Sequence, residues 1–150
     1  KMVIQNSGGT AVVDAEKFFI GPAVDITRMT VLKSGDILTA IRIPNTWAGA
    51  TFYFEKVADR NVWDFPLVNV AAAMKVAGGT IQDMRIVVGA VEAVPKRLRV
   101  VEDLVKGQKK GADVAKLAGK AASRGAKPLN FNHLKIPLIE NLVTRAIRDA

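Results

Sequence analysis

The chain has 150 residues, 49% hydrophobic and 24% charged, enough for one domain or one and a half around a real core. It has no cysteine, which excludes disulfides, thiolate zinc and iron–sulfur ligands in this stretch, and its one histidine, His133, argues against a histidine-built metal site or a Ser-His-Asp triad. The net charge of +8 lies wholly in the second part: residues 1–92 carry nine Lys or Arg and nine Asp or Glu, residues 93–150 thirteen and five.

Those basic residues are dispersed, and Phe131 is the only aromatic among them. Nucleic-acid binding needs a basic patch with stacking platforms, so solvated helix faces are the preferred reading. No stretch reaches the roughly 18–20 apolar residues of a membrane span, so no membrane is expected as a partner and the cytoplasm is the expected location.

In chain order, residues 2–13 read as two short strands around Asn6-Ser7-Gly8-Gly9, a strong turn signal. A Gly-Gly-Thr can cradle phosphate, but here no helix follows it, and the turn reading wins. Residues 15–20 form a short helical turn carrying Phe18-Phe19, and Gly21-Pro22 stops it. Residues 23–34 are an irregular link. Gly35-Asp36 opens a strand over residues 37–43, and Pro44 closes it. Alternation puts Ile37, Thr39, Ile41 and Ile43 on one face and Leu38, Ala40 and Arg42 on the other. With apolar residues on both faces, its first half is expected to be covered on both sides.

Residues 51–77 organise the rest: a strand over 51–57, a loop with Asp59, Arg60, Trp63 and Asp64, then a strand over 67–76. Phe52, Phe54 and Lys56 share one face of the first strand, Tyr53 and Glu55 the other. A lysine ending an apolar face must reach water or meet an acceptor. It is read either as snorkelling beside a solvated loop or as facing a polar ligand. Gly78-Gly79 is a hairpin turn into a third strand over 81–91.

Helical patterns follow. Residues 95–106 carry Leu98, Val101, Leu104 and Val105 on one stripe, with Pro95 at the start and Gly107 at the end. Residues 112–124 carry Val114, Leu117, Ala118 and Ala121; residues 132–150 carry Ile139, Leu142, Val143, Ala146 and Ile147, with Pro137 in the first turn. Strands followed by helices read as α+β, three antiparallel strands packed against three helices.

No nucleophile–base pair or defensible carboxylate pair stands out, so a cofactor or another chain must supply any hard chemistry. The ordered set Phe18-Phe19, Gly35-Asp-Ile-Leu-Thr-Ala-Ile-Arg-Ile-Pro44, Lys56, Arg60, Asp83-Met-Arg-Ile-Val-Val-Gly-Ala-Val91, Pro95-Lys-Arg97 and Leu142-Val-Thr-Arg-Ala-Ile-Arg-Asp-Ala150 resembles the flavin subunit of molybdenum hydroxylases, the xanthine dehydrogenase and carbon monoxide dehydrogenase type. The resemblance covers nearly the whole chain but only the second half of such a subunit. The glycine-rich loops that hold the FAD pyrophosphate in the family have no counterpart here, and a missing N-terminal half is expected as a partner.

By this resemblance, residues 1–50 are the end of an FAD-binding region and residues 51–150 the C-terminal α+β domain. It implies that Ile37 and Leu38 lie beside the isoalloxazine ring, that Lys56 contacts the flavin, and that Arg60 and the loop to Asp64 form a segment near it. A cation there would stabilise the negative charge of the reduced ring, while apolar side chains keep its face dry. Read without the resemblance, Ile37 and Leu38 are ordinary core, Arg60 pairs with Asp59 or Asp64, and Trp63 either packs on the loop or covers the flavin edge.

The family further implies a large molybdopterin subunit that hydroxylates substrate, a small subunit with two [2Fe–2S] clusters, and electron transfer through FAD to an acceptor such as NAD. Two other readings stand beside it: a non-enzymatic assembly domain that docks the other subunits, and a basic nucleic-acid-binding domain.

Overall fold

A short hairpin begins the molecule, and its turn follows from residue chemistry. In the computed structural model, which describes all 150 residues, β1 (Met2–Asn6) pairs antiparallel with β2 (Gly9–Val13). The Asn6 Oδ1 accepts the Gly8 N–H at 2.9 Å, closing an Asx turn. After α1 (Ala15–Phe18) and the link, β3 (Ile37–Ile41) adds to the other edge of β1, giving the order β2-β1-β3. Met2, Ile4 and Phe18 are buried together, with Val13, Val31, Leu32 and Leu38 packed against them.

The even alternation expected along residues 37–43 does not survive. The β1–β3 register slips between Val3 and Ile4, so Leu38 pairs with Ile4 while Ala40 pairs with Val3. The bulge sets Leu38 and Ala40, expected on one face, opposite neighbouring β1 residues that face opposite ways, with Leu38 packed into the core. Ile37 and Ile41 are each 65% exposed, so this chain does not cover the strand on both sides as expected.

The chain divides into two compact units: residues 1–46 with 93–95, and residues 47–92 with 96–150. The second unit contains a sheet of order β4-β5-β6-β7, from β4 (Thr51–Val57), β5 (Val68–Ala77), β6 (Thr80–Gly89) and β7 (Lys96–Arg97). Gly78 and Gly79 both have positive φ, 55° and 74°, as a two-residue hairpin turn demands. Three helices, α2 (Arg99–Val105), α3 (Ala112–Ala122) and α4 (Lys135–Asp149), complete the unit. The three long antiparallel strands and three helices are those expected.

The inner face of the sheet is nearly solvent-free. Val68, Val70 and Met74 on β5 and Ile81, Met84, Ile86 and Val88 on β6 are each at most 1% exposed. They pack with Val101 and Val105 of α2 and Leu142, Val143 and Ile147 of α4. Each such side chain contributes about 1.5–3 kcal/mol when removed from water.

Two local expectations are corrected. Residues 96–97 form an edge strand rather than the first turn of a helix, because Lys96 and Arg97 pair with Val88 and Val87 and the Leu98 N–H donates to the Ile86 carbonyl at 3.0 Å. On α3 the buried stripe is Ala115, Ala118, Gly119 and Ala121, whereas Leu117 is 57% exposed. The small residues win because α3 lies against α4 so closely that a Cβ on Gly119 would stand 2.5 Å from the Glu140 carbonyl oxygen. Val76, next to the Gly78-Gly79 turn at the end of the sheet, is 41% exposed although it pairs with the buried Ile81.

Candidate functional site

The outer face of the second unit's sheet is where the chemistry-bearing residues gather. Strand β4 presents Tyr53 and Glu55 inward and Phe52, Phe54 and Lys56 outward. The two phenylalanines are 65% and 67% exposed, so the apolar face that Lys56 shares is the open side, not the core. The inward side is polar but satisfied. The Tyr53 hydroxyl donates to Glu55 Oε2 at 2.5 Å, and Arg145 of α4 pairs with Glu55 Oε1 at 2.8 Å. Burial, followed by the Glu55 carboxylate, pushes the Tyr53 phenol up to about 12.

Pairing across the strands fixes the outer surface in rows. Lys56 stands opposite Asn69, and Asn69 opposite Gly89; in the next row Phe54, Ala71 and Val87 are aligned. The Asn69 side chain lies on Gly89, where a Cβ would come within 2.2 Å of its Oδ1. The result is a shelf of small residues edged by an aromatic ring, an amide and an ammonium. Further along the same sheet, the Trp47 ring has Lys75 Nζ 5.5 Å from its centroid and the Arg85 guanidinium carbon at 5.2 Å.

Asp64 organises the loop after β4. Its carboxylate receives the Arg60 fork, Nε at 3.0 Å and Nη2 at 2.9 Å, together with the backbone N–H groups of Arg60 and Phe65 at 3.2 and 2.9 Å. The Arg60 bond, then the two backbone donors, hold the Asp64 carboxyl below its ordinary 3.8. Asp64 is 10% exposed in its side chain while Arg60 is 70% exposed. Lys56 reaches back to the Asp64 main-chain carbonyl at 2.8 Å and meets no carboxylate. An ammonium has three N–H donors, so two of those on Lys56 remain for another acceptor.

Of the four residues singled out from the sequence, Lys56 and Arg60 are thus joined through Asp64. Ile37 and Leu38 lie in the first unit on opposite sides of β3, Leu38 packed beside Ile4 and Ile37 open. Arg60 makes the ion pair with Asp64 that its spacing offered. Trp63, 98% exposed, does not pack on the loop. Sequence reasoning missed the Asn69–Gly89 contact; the available signal was a glycine in an apolar strand, which marks a close approach.

No group of three or more His, Cys, Asp or Glu is placed to hold a metal ion, and no helix is long and apolar enough to cross a membrane. The fit to an aromatic cofactor edge is better founded: a flat shelf that a Cβ at Gly89 would disturb, and a cation with free donors beside it. The Gly8-Gly9 turn joins two strands and offers no helix N-terminus to a phosphate.

Residues 53–150 match the family model of the CO dehydrogenase flavoprotein C-terminal domain. The chain is 32% identical over 124 residues to the glyceraldehyde dehydrogenase medium chain of Sulfolobus acidocaldarius, covering 82% of this chain and 42% of that protein. It is 30% identical over 84 residues to the carbon monoxide dehydrogenase medium chain of Hydrogenophaga pseudoflava, covering 56% of this chain and 27% of that one. The structure of quinoline 2-oxidoreductase from Pseudomonas putida 86 superimposes with a TM-score of 0.83 at 27% identity, over 99% of this chain and 51% of that chain. The chain thus spans about half the length of the structural relative and 42% or less of these two medium chains. With residues 53–150 matched, the chain belongs to the CO dehydrogenase flavoprotein C-terminal domain family, the flavoprotein subunits of molybdenum hydroxylases.

Proposed function

We propose that the chain forms part of the flavin site of a molybdenum hydroxylase, in which FAD carries electrons from iron–sulfur clusters to an acceptor such as NAD. The observation that carries this reading is Lys56: an ammonium without a carboxylate, on the open sheet face beside Phe54 and a shelf of small residues. Residues 1–50 are read as the end of an FAD-binding region and residues 51–150 as the C-terminal domain of the subunit. The partners that this reading requires are the rest of the flavin subunit, with the pyrophosphate loops, a large molybdopterin subunit and a small [2Fe–2S] subunit; the cytoplasm is the matching location.

When bound, FAD supplies the redox chemistry; the chain's residues bind and tune. Lys56 offers its free N–H donors and its charge to an electron-rich edge, favouring whichever state of the ligand carries more negative charge. Asp64 holds Lys56 at that post through its carbonyl and keeps Arg60 folded back, so the loop is set before the ligand arrives. Ile37 gives an apolar surface that keeps water from a ring, and Leu38 anchors the strand behind it. The test is the visible spectrum of the full-length subunit: flavin absorbance retained through purification agrees with the reading, and a colourless subunit that takes up no added FAD contradicts it.

A further inference from the structure

A cavity of about 230 Å³ opens in the second unit, away from the β4 face, between the end of β6, the segment 124–132 and the start of α4. Its floor is apolar, formed by Val88, Leu98, Ile136 and Ile139. A cavity of about 150 Å³ holds a benzene ring, so this one accepts an apolar body of phenyl or isobutyl size.

The rim is cationic. Lys96, Arg124, Lys127 and Lys135 line it, against a single acid, Glu92. Glu92 is already paired with Lys96. Arg124 and Lys127 are exposed and make no side-chain hydrogen bond or ion pair. Lys135 is part-buried and donates to two main-chain carbonyls, Leu67 at 2.9 Å and Ala90 at 2.6 Å, with no carboxylate to balance its charge. Ala90 takes a positive φ of 63° where its carbonyl meets Lys135. Asn132 accepts the Leu129 N–H on its Oδ1 at 2.6 Å, which fixes the loop and leaves its amide N–H₂ as a further donor at the rim.

Three cations without a carboxylate around one small apolar pocket are an unbalanced arrangement for the chain alone. An inorganic anion would satisfy the rim and leave the floor wet; a neutral apolar group would fill the floor and leave the charges unmatched. We propose that this cavity binds an organic monocarboxylate with a compact apolar body, its carboxylate on Arg124, Lys127 and Asn132 and its body on Val88, Leu98 and Ile139. Such a group comes either as a free acid or as the C-terminal residue of a peptide. The site is independent of the flavin reading.

Isothermal titration of the full chain with 3-phenylpropionate, with its amide and with an acetylated pentapeptide ending in a free Phe carboxylate tests this. Saturable binding of the acid or the peptide, at least tenfold tighter than the amide and lost in Arg124→Gln/Lys127→Gln, is the expected result. The tighter of the two ligands names the source. Equal binding of acid and amide, no saturation by either carboxylate in the millimolar range, or unchanged binding by the double variant would overturn it. Both substituted side chains are exposed and unpaired, so the fold is preserved, and an unchanged far-ultraviolet spectrum checks this.

Discussion

Arg60 and Asp64 meet fork to carboxylate at 2.9 and 3.0 Å, and that pairing leaves Lys56 with only a main-chain carbonyl. One side chain therefore neutralises one of two neighbouring cations and positions the other. Asp64→Asn should remove half of this arrangement: the loop over residues 58–66 loses its centre while the strands beneath are untouched. Hydrogen exchange should rise several-fold in that loop alone, with the β5 and β6 amides unchanged. Protection unaltered in the loop would show that Asp64 does not hold it.

Glu102 is 6% exposed and carries a bidentate Arg97, Nε at 2.8 Å and Nη2 at 2.6 Å, plus the Ile86 N–H at 3.1 Å. Burial alone would raise its carboxyl; the Arg97 and Ile86 bonds outweigh it and hold the group below the ordinary 4.5. A depressed acid contributes stability that is fully present above 4.5 and is lost as pH falls through the lower folded value. Arg97→Ala, which leaves that carboxylate buried with weaker compensation from Arg85 at 3.8 Å, should cost about 3 kcal/mol in urea unfolding. A change under about 1 kcal/mol would mean the pair is stabilised from elsewhere.

Gly119→Ala sets two effects against each other. Alanine gains about 1 kcal/mol in helix propensity. Its methyl would meet the Glu140 carbonyl oxygen at 2.5 Å and Thr144 Oγ1 at 2.2 Å, and the main chain cannot rotate away. Overpacking of this kind costs about 1–3 kcal/mol. Contact wins over propensity, and thermal denaturation should find the variant less stable by about 1 kcal/mol; a more stable variant would show that α3 and α4 separate easily.

Tyr53 is the only tyrosine, so its titration can be followed without overlap. Its phenol should titrate near 12 rather than 10 because it is part-buried and donates to Glu55. Glu55→Gln should bring the midpoint down towards the ordinary value. A wild-type midpoint of 10 in the folded chain would contradict the geometry of this pair.

Much of this architecture was legible in the residues. Asn6 to Gly9 and Gly78-Gly79 announced both hairpins, and the apolar stripe of α4 and the tolerance of Pro137 in its first turn were read correctly. What alternation could not reveal was which side faces inward. The Phe52/Phe54 face is the more apolar by residue type, yet it is open, because Tyr53 and Glu55 find Arg145 on the core side. Nor could a bulge be seen in advance at Ile37 to Ala40, since it depends on the register against β1. Lys56 was identified by its position on an apolar face; its lack of a carboxylate is a tertiary fact, set by the competition with Arg60 for Asp64.

The most direct test of the central claim is the flavin midpoint potential of the full-length subunit with Lys56→Ala. If Lys56 favours the more negatively charged state of the ring, even an exposed interaction of about 1 kcal/mol lowers the potential by roughly 20 mV on its removal, or the flavin is lost from the protein. Unchanged potential together with unchanged flavin retention would contradict the claim and return Lys56 to the role of a surface lysine tied to its own loop.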